Sequence, residues 1–200
     1  MSTTATPAAP VPSATSPAPR RPLAITILAG FSLLLGVVTG IPQLYYVLYA
    51  ANPSVFPIGP HTNPLGAVWF WYILNGDNTY HRIDPGVLAG AVEDAFLLGP
   101  LYLATGIGLL GLRRWVIPVG LLCGGMILYA IIGFFLGDIF AGLKTVTNSA
   151  SFWLTNLPYL AYPLWLIPTL LLRRSIFKSR LRATLEASDM LSSVDASDAS

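Results

Sequence analysis

The chain has 200 residues, of which 54% are hydrophobic and only 10% are charged. Soluble domains carry about 25% charged residues, so this composition excludes an ordinary water-soluble globule and predicts an integral membrane protein. The formal net charge of +2 is too small and too scattered for a nucleic-acid-binding surface. The single cysteine excludes an internal disulfide framework.

Three regions follow one another along the chain. Residues 1–21 are rich in Pro, Ala, Ser and Thr and lack an apolar pattern, which predicts a disordered N-terminal tail rather than a cleaved signal peptide. Residues 22–174 form one transmembrane domain. Residues 175–200 are a basic and then acidic tail.

Four segments are long and apolar enough to cross a bilayer as helices, which takes about 20 residues. They are residues 23–50, 86–112, 115–137 and 152–172. The fold class predicted is therefore an all-α membrane protein, a bundle of four transmembrane helices. Residues 67–76 are too short to cross and are rich in Trp and Tyr, which favours a short interfacial helix in the first loop, with a plain loop as the alternative.

Basic residues indicate the orientation of this bundle. Arg20 and Arg21 precede the first segment, Arg113 and Arg114 join the second and third, and a basic cluster follows the fourth. In an even-numbered bundle these sites share one side, which the positive-inside rule makes cytoplasmic. We therefore expect both termini in the cytosol. The basic residues of the opposite loops are Arg82 and Lys144, and those of the last cluster are Arg173, Arg174, Lys178, Arg180 and Arg182.

Two adjacent acids interrupt the second apolar segment. A charged acid at the centre of a membrane helix costs about 2.5–3.5 kcal/mol, and such residues normally face a bundle interior or a cavity. Glu93 and Asp94 are about 100° apart around a helix, so both can border one cavity. Pro100, two turns later, cannot donate a backbone hydrogen bond and is expected to bend the helix below them.

These acids have a functional and a structural interpretation. In the first, they anchor a ligand amine or hydroxyl, or transfer a proton. In the second, they only fix helix register through hydrogen bonds to Gln43, Asn156 or Tyr162. On the fourth segment, Tyr159, Tyr162 and Trp165 recur every three residues, which is typical either of a lipid-facing surface or of one side of an apolar ligand pocket.

Other residue patterns carry less chemistry. His61 and His81 share no helical face with the acids, so no metal site is predicted. Asp77, Arg82 and Asp84 are read as a solvated ion cluster. The sequence has no phosphate-binding loop, dinucleotide fingerprint or nucleophile elbow, so no cofactor is predicted.

Pairs of glycines four residues apart occur in three of the apolar segments. Such pairs let helix backbones approach closely, which favours a compact bundle and leaves a homodimer possible. The pairs are Gly36/Gly40, Gly86/Gly90, Gly120/Gly124 and Gly133/Gly137.

The order of several short motifs resembles the EXPERA superfamily of sigma-2-receptor-like and emopamil-binding-protein-like membrane proteins. The motifs are "GIPQLYY", "WFWY", "GDNTY", "VEDAFLLGPLYL" and "AYPLWLIPTLLL", and they cover most of residues 40–172. The resemblance implies a four-helix bundle, located in the endoplasmic reticulum if the source is eukaryotic. It also implies a cavity for sterols or hydrophobic amines anchored by Glu93, with Asp77 as the loop acid and Tyr162 and Trp165 as pocket aromatics.

The chain also departs from that family pattern. No acid follows the Ile-Pro pair, and the first segment has neither the His nor the Glu of the isomerase-like members. We therefore expect sterol binding, with two alternatives: a sterol double-bond isomerase that uses Glu93 and Asp94 as acid and base, or a non-catalytic trafficking or scaffold protein. The predicted ligand contacts are Glu93, Asp94, Asp77, Asn156, Tyr159, Tyr162 and Trp165.

Overall fold

The computed structural model describes residues 21–81, 83–140 and 149–177. The regular elements in these residues are all helical, as the composition predicts. They are α1 (Leu23–Ala51), α2 (Pro64–Asn75), a 3₁₀ helix (Asn78–His81), α3 (Pro85–Glu93), a π-helical turn (Asp94–Leu98), α4 (Gly99–Gly111), α5 (Val116–Phe140) and α6 (Ser149–Leu172).

Three helices in the described part of the chain are long and apolar enough to span a membrane. They cover Leu23–Ala51, Pro85–Gly111 and Val116–Gly137. This agrees with the prediction of a multi-pass membrane protein. Helix α6 has 24 residues and three internal prolines, and it is not one of the three candidates. A fourth crossing, and so a bundle of four transmembrane helices, stays a prediction.

Helices α1 and α4 pack antiparallel with their backbones in close contact. A Cβ added to Gly99 would lie 2.9 Å from the Cα of Gly40, and one added to Gly36 would lie 3.1 Å from the carbonyl oxygen of Gly99. Nearer the other end, a Cβ on Gly106 would lie 3.1 Å from the carbonyl oxygen of Ala29. Small residues on both helices therefore form this contact, called here the α1–α4 seam.

Helices α5 and α6 also pack antiparallel through glycines. A Cβ on Gly120 would lie 2.6 Å from Leu170, and one on Gly124 would lie 2.9 Å from Ile167. Two of the four predicted glycine pairs, Gly36/Gly40 and Gly120/Gly124, thus lie against a neighbouring helix. An added Cβ would meet nothing within 4 Å at Gly90, Gly133 and Gly137.

The described arginines gather at one end of the structure, called here the basic end. Arg21 donates a hydrogen bond to the carbonyl of Leu110, which places the start of α1 beside the end of α4. A Cβ added to Gly120, near the start of α5, would lie 2.6 Å from Leu170, so the end of α6 lies beside the start of α5. The basic end carries Arg21, Arg113, Arg114, Arg173 and Arg174.

Several predicted features lie outside the described residues. They are the tails at residues 1–20 and 178–200, and the basic residues Arg20, Arg82, Lys144, Lys178, Arg180 and Arg182. The structure thus shows that the described arginines lie at one end of the molecule. Its cytoplasmic orientation stays a prediction.

Candidate functional site

A π-helical turn interrupts the crossing helix where the two acids occur. The N–H of Gly99 donates to the carbonyl of Asp94, five residues earlier. Pro100 has no N–H and cannot donate to the carbonyl of Phe96, which removes one regular α-helical bond from this stretch. Such turns are common at functional sites and change which residues a helix presents to one face. The helix is therefore irregular near Pro100 in the form of a π turn that begins at Asp94, and a bend there stays a prediction.

A cavity of about 700 Å³ lies beside this turn, and α1, α2, α3, α4, α5 and α6 contribute to its wall. Pockets that bind small ligands typically measure about 300–1,000 Å³. Much of the wall is apolar. Its polar side chains are Thr39, Gln43, Tyr72, Thr79, Tyr80, Glu93, Asp94, Tyr102, Thr155, Asn156 and Tyr159.

Both acids line this cavity, in different surroundings. Glu93 is exposed, whereas Asp94 is half-buried. Asp94 lies within electrostatic reach of Tyr80, Tyr102 and Tyr159, which come from three separate elements. Asp94 is therefore the more enclosed acid, and it shares the cavity wall with these three phenol groups.

An aromatic cluster closes one side of the cavity and attaches α2 to α1. The indole N–H of Trp69 donates to the carbonyl of Pro42 at 2.7 Å. The ring centroid of Trp69 lies 5.1 Å from that of Tyr46 and 4.9 Å from that of Tyr80. The hydroxyl of Tyr46 donates to the carbonyl of Tyr80 at 3.2 Å. These contacts hold the first loop over the cavity.

Tyr72 of α2 shares the cavity wall with Thr155 and Asn156 of α6. Burial raises the pKa of Tyr72 to about 12, hydrogen bonds from Asn156 and Thr155 act in the opposite direction, and the charge of Asp77 raises it further. Burial is also the largest reason that the pKa of Tyr80 lies well above its ordinary value. Both phenols therefore stay protonated at physiological pH and can donate hydrogen bonds into the cavity.

Four of the seven predicted ligand contacts line this cavity: Glu93, Asp94, Asn156 and Tyr159. The hydroxyl of Tyr159 accepts a hydrogen bond from Thr39 at 3.2 Å. The side-chain amide of Asn156 donates to the carbonyl of Phe152 within its own helix at 2.8 Å. The cavity thus brings together polar groups of α1, α3 and α6.

The other three predicted contacts, Asp77, Tyr162 and Trp165, are described but do not belong to the cavity wall. Asp77 is buried and accepts hydrogen bonds from the backbone N–H of Thr79 at 2.9 Å and from its hydroxyl at 2.7 Å. Tyr162 is fully buried and hydrogen-bonded to Ser32. Trp165 is exposed. Their roles as ligand contacts stay predictions.

Several polar wall residues were not assigned to the site from sequence. Thr39 and Gln43 are four residues apart in the largely apolar helix α1, and that spacing places them on one helical face beside the cavity. Tyr80 carries no such signal, because only the path of the first loop brings it to the wall. Among the described residues, no group of three or more His, Cys, Asp or Glu side chains could hold a metal ion.

Comparisons of the chain with protein-family models, with curated proteins and with solved structures find no match. The class of the protein follows instead from its described fold and site. It is a multi-pass membrane protein, all-helical in its described part, whose helices border a largely apolar cavity with two acids in its wall.

Proposed function

We propose that this protein binds a sterol or a similar apolar ligand in the cavity, and that Glu93 and Asp94 hold the polar end of that ligand. One observation carries the proposal. Two acids that are consecutive in a membrane-spanning helix both line a largely apolar cavity of about 700 Å³.

The physical argument rests on the unfavourable position of the acids. Carboxyl groups within a membrane helix are expensive and normally find a partner in a cavity or in another side chain. A ligand ammonium or hydroxyl group offers such a partner to Glu93 and Asp94. The apolar wall suits the hydrocarbon body of the same ligand, because its burial is favourable without specific directional contacts.

The proposal includes an arrangement in the membrane. Helix α6, with 24 residues, would reach about 36 Å at 1.5 Å per residue, which is long enough for a fourth crossing. The basic end would then lie in the cytoplasm together with both termini. This arrangement is the one that resemblance to the EXPERA superfamily implies.

Binding to the full chain in lipid nanodiscs tests the function. The probe is a photoreactive steroid that carries a tertiary amine. We expect Glu93→Gln and Asp94→Asn each to lower its affinity about 10-fold, because each removes one negative charge from the wall. Asp84→Asn is the matched control. Asp84 is exposed outside the cavity wall and accepts from the N–H of Gly86 at 2.8 Å, a helix cap that Asn makes equally well.

Two results would contradict the proposal: no specific labelling of the unmodified protein, or a double variant Glu93→Gln/Asp94→Asn that binds the probe like the control. The first would remove the ligand class. The second would make the acids structural, as in the alternative in which they only fix helix register.

The different surroundings of the two acids favour a sterol double-bond isomerase as a second candidate function. Adjacent carboxyls in unequal environments are an arrangement that general acid–base catalysis uses. One carboxyl would add a proton to an alkene carbon and the other would remove a proton from a nearby carbon, which moves the double bond without changing composition. Conversion of a labelled sterol by the purified protein would establish this activity, and its absence with binding intact would leave a binding protein.

A further inference from the structure

Gly90 differs from the glycines that lie in helix contacts. An added Cβ at Gly99 or Gly106 would come close to the backbone of α1, so those positions need glycine for packing. A Cβ at Gly90 would meet nothing within 4 Å. Gly90 is exposed within α3 and forms part of the cavity wall.

This glycine has no explanation in the packing of the described chain. Glycine inside a helix is unfavourable compared with alanine, because it loses more backbone freedom on folding. Gly90 lies within α3, four residues before Asp94 and therefore about 6 Å from it along the helix axis. Gly86, Gly90 and Glu93 all line the cavity, and their spacing places them on one face of the helix.

We infer that Gly90 is a specificity-determining residue: the rigid, flat body of a fused-ring lipid lies against α3 at this glycine, one turn from the acids that hold its polar end. Any side chain at residue 90 would occupy that space. A flexible single-chain ligand can bend around an added side chain, whereas a fused-ring body cannot. Gly90 thus selects ring ligands over single-chain ligands. This inference rests on the proposed function, because it assumes ligand in the same cavity.

The test compares two probes with the same amine and photoreactive group, one on a steroid and one on a single alkyl chain. Both are titrated against the full chain in nanodiscs. In Gly90→Leu we expect the steroid affinity to fall at least about 10-fold and the alkyl-chain affinity to change less than about 3-fold, because contact with a rigid body is lost by steric exclusion. Gly90→Ala should show a smaller loss for the steroid only.

Gly125→Leu is the matched control. Gly125 is also an exposed helix glycine with nothing within 4 Å of an added Cβ, but it lies outside the cavity wall. Its substitution should leave both affinities unchanged. Removing a helix glycine should also raise the Tm of Gly90→Ala by about 2–4 °C, which shows that any lost binding is not lost folding.

Equal affinities for the steroid in Gly90→Leu and Gly125→Leu would overturn the inference, and so would an equal loss of both probes in Gly90→Leu. A changed oligomeric state with unchanged binding would also overturn it, because Gly90 would then serve contact with a second copy. If the unmodified protein binds the steroid through its acids while Gly90→Leu has no effect, only this inference fails. If the unmodified protein does not bind the steroid, the proposed function fails with it.

Discussion

The same long helices pack differently in the two halves of the molecule, the half toward the basic end and the half that contains the cavity. Toward the basic end, the helices fill the space between them with apolar side chains, and Ile25, Leu109, Val116 and Leu170 are completely buried. In the other half, α1, α3, α5 and α6 surround the cavity together with α2. Each long helix therefore contributes one segment to a packed core and another to a cavity wall.

The π turn at Asp94–Leu98 lies between these halves. In the packed half, the hydroxyls of Ser32 and Tyr162 satisfy each other. In the cavity half, Glu93 and Asp94 stand side by side in the wall. We therefore expect stability to come mainly from the packed half and the cavity half to contribute less to it. The following substitutions test that division.

The largest effect is expected at the α1–α4 seam. Gly99→Leu would place a side chain where a Cβ alone already lies 2.9 Å from the Cα of Gly40. Because backbone atoms cannot move aside as a side chain can, we expect a loss of about 3 kcal/mol of unfolding free energy. Thermal unfolding of the purified protein and its monodisperse yield would measure this loss.

Gly133→Leu is the control for that substitution, since an added Cβ at Gly133 has nothing within 4 Å. Its Tm should stay within about 2 °C of the unmodified protein, as for other substitutions away from packed contacts. A Gly99→Leu variant as stable as Gly133→Leu would show that the seam does not hold α1 and α4 together.

The helices could be predicted from sequence because a crossing segment is a local property of about 20 apolar residues. The predicted segment 23–50 matches α1, Leu23–Ala51, almost completely. The seam could not be predicted in the same way. Gly36 and Gly40 are visible as a pair, but their partner Gly99 is on another helix and no local pattern connects them. The π turn also depends on the hydrogen bond from the N–H of Gly99 to the carbonyl of Asp94. Pro100 indicates only that one regular helical hydrogen bond is missing nearby.

The acids of the site could be predicted because a charge in an apolar helix is conspicuous in any arrangement. The spacing of the aromatic residues of α6 could not show which of them line the cavity and which are buried in the core. Tyr159 and Tyr162 lie on neighbouring helical faces, but Tyr162 is about 4.5 Å farther along the axis, at the level where packed side chains replace the cavity. Tyr159 therefore lines the wall, while Tyr162 joins the core.

A smaller effect, with the opposite sign, is expected from Asp94→Asn without ligand. Asp94 is half-buried next to Glu93, so removing its charge relieves both desolvation and repulsion between adjacent carboxylates. We expect stability to rise by about 1 kcal/mol and the Tm by about 2–4 °C. The exposed Asp84→Asn variant should show no rise. A lower Tm for Asp94→Asn would show that the Asp94 side chain stabilises contacts between helices. The two halves would then not differ in their contribution to stability.

An effect of about the same size as that of Asp94→Asn, but a loss of stability, is expected in the packed half from Ser32→Ala. The hydroxyl of Tyr162 would stay buried after losing its partner, which costs about 1 kcal/mol and should lower the Tm by about 2–4 °C. The double variant Ser32→Ala/Tyr162→Phe should recover part of this loss, because both polar groups are then absent. Ser32 lies outside the cavity wall, so Ser32→Ala should bind the steroid amine within about 2-fold of the unmodified protein. A 10-fold loss of binding without a change in Tm would instead show that a change in the packed half alters ligand affinity in the cavity. The two halves could then no longer be treated as separate.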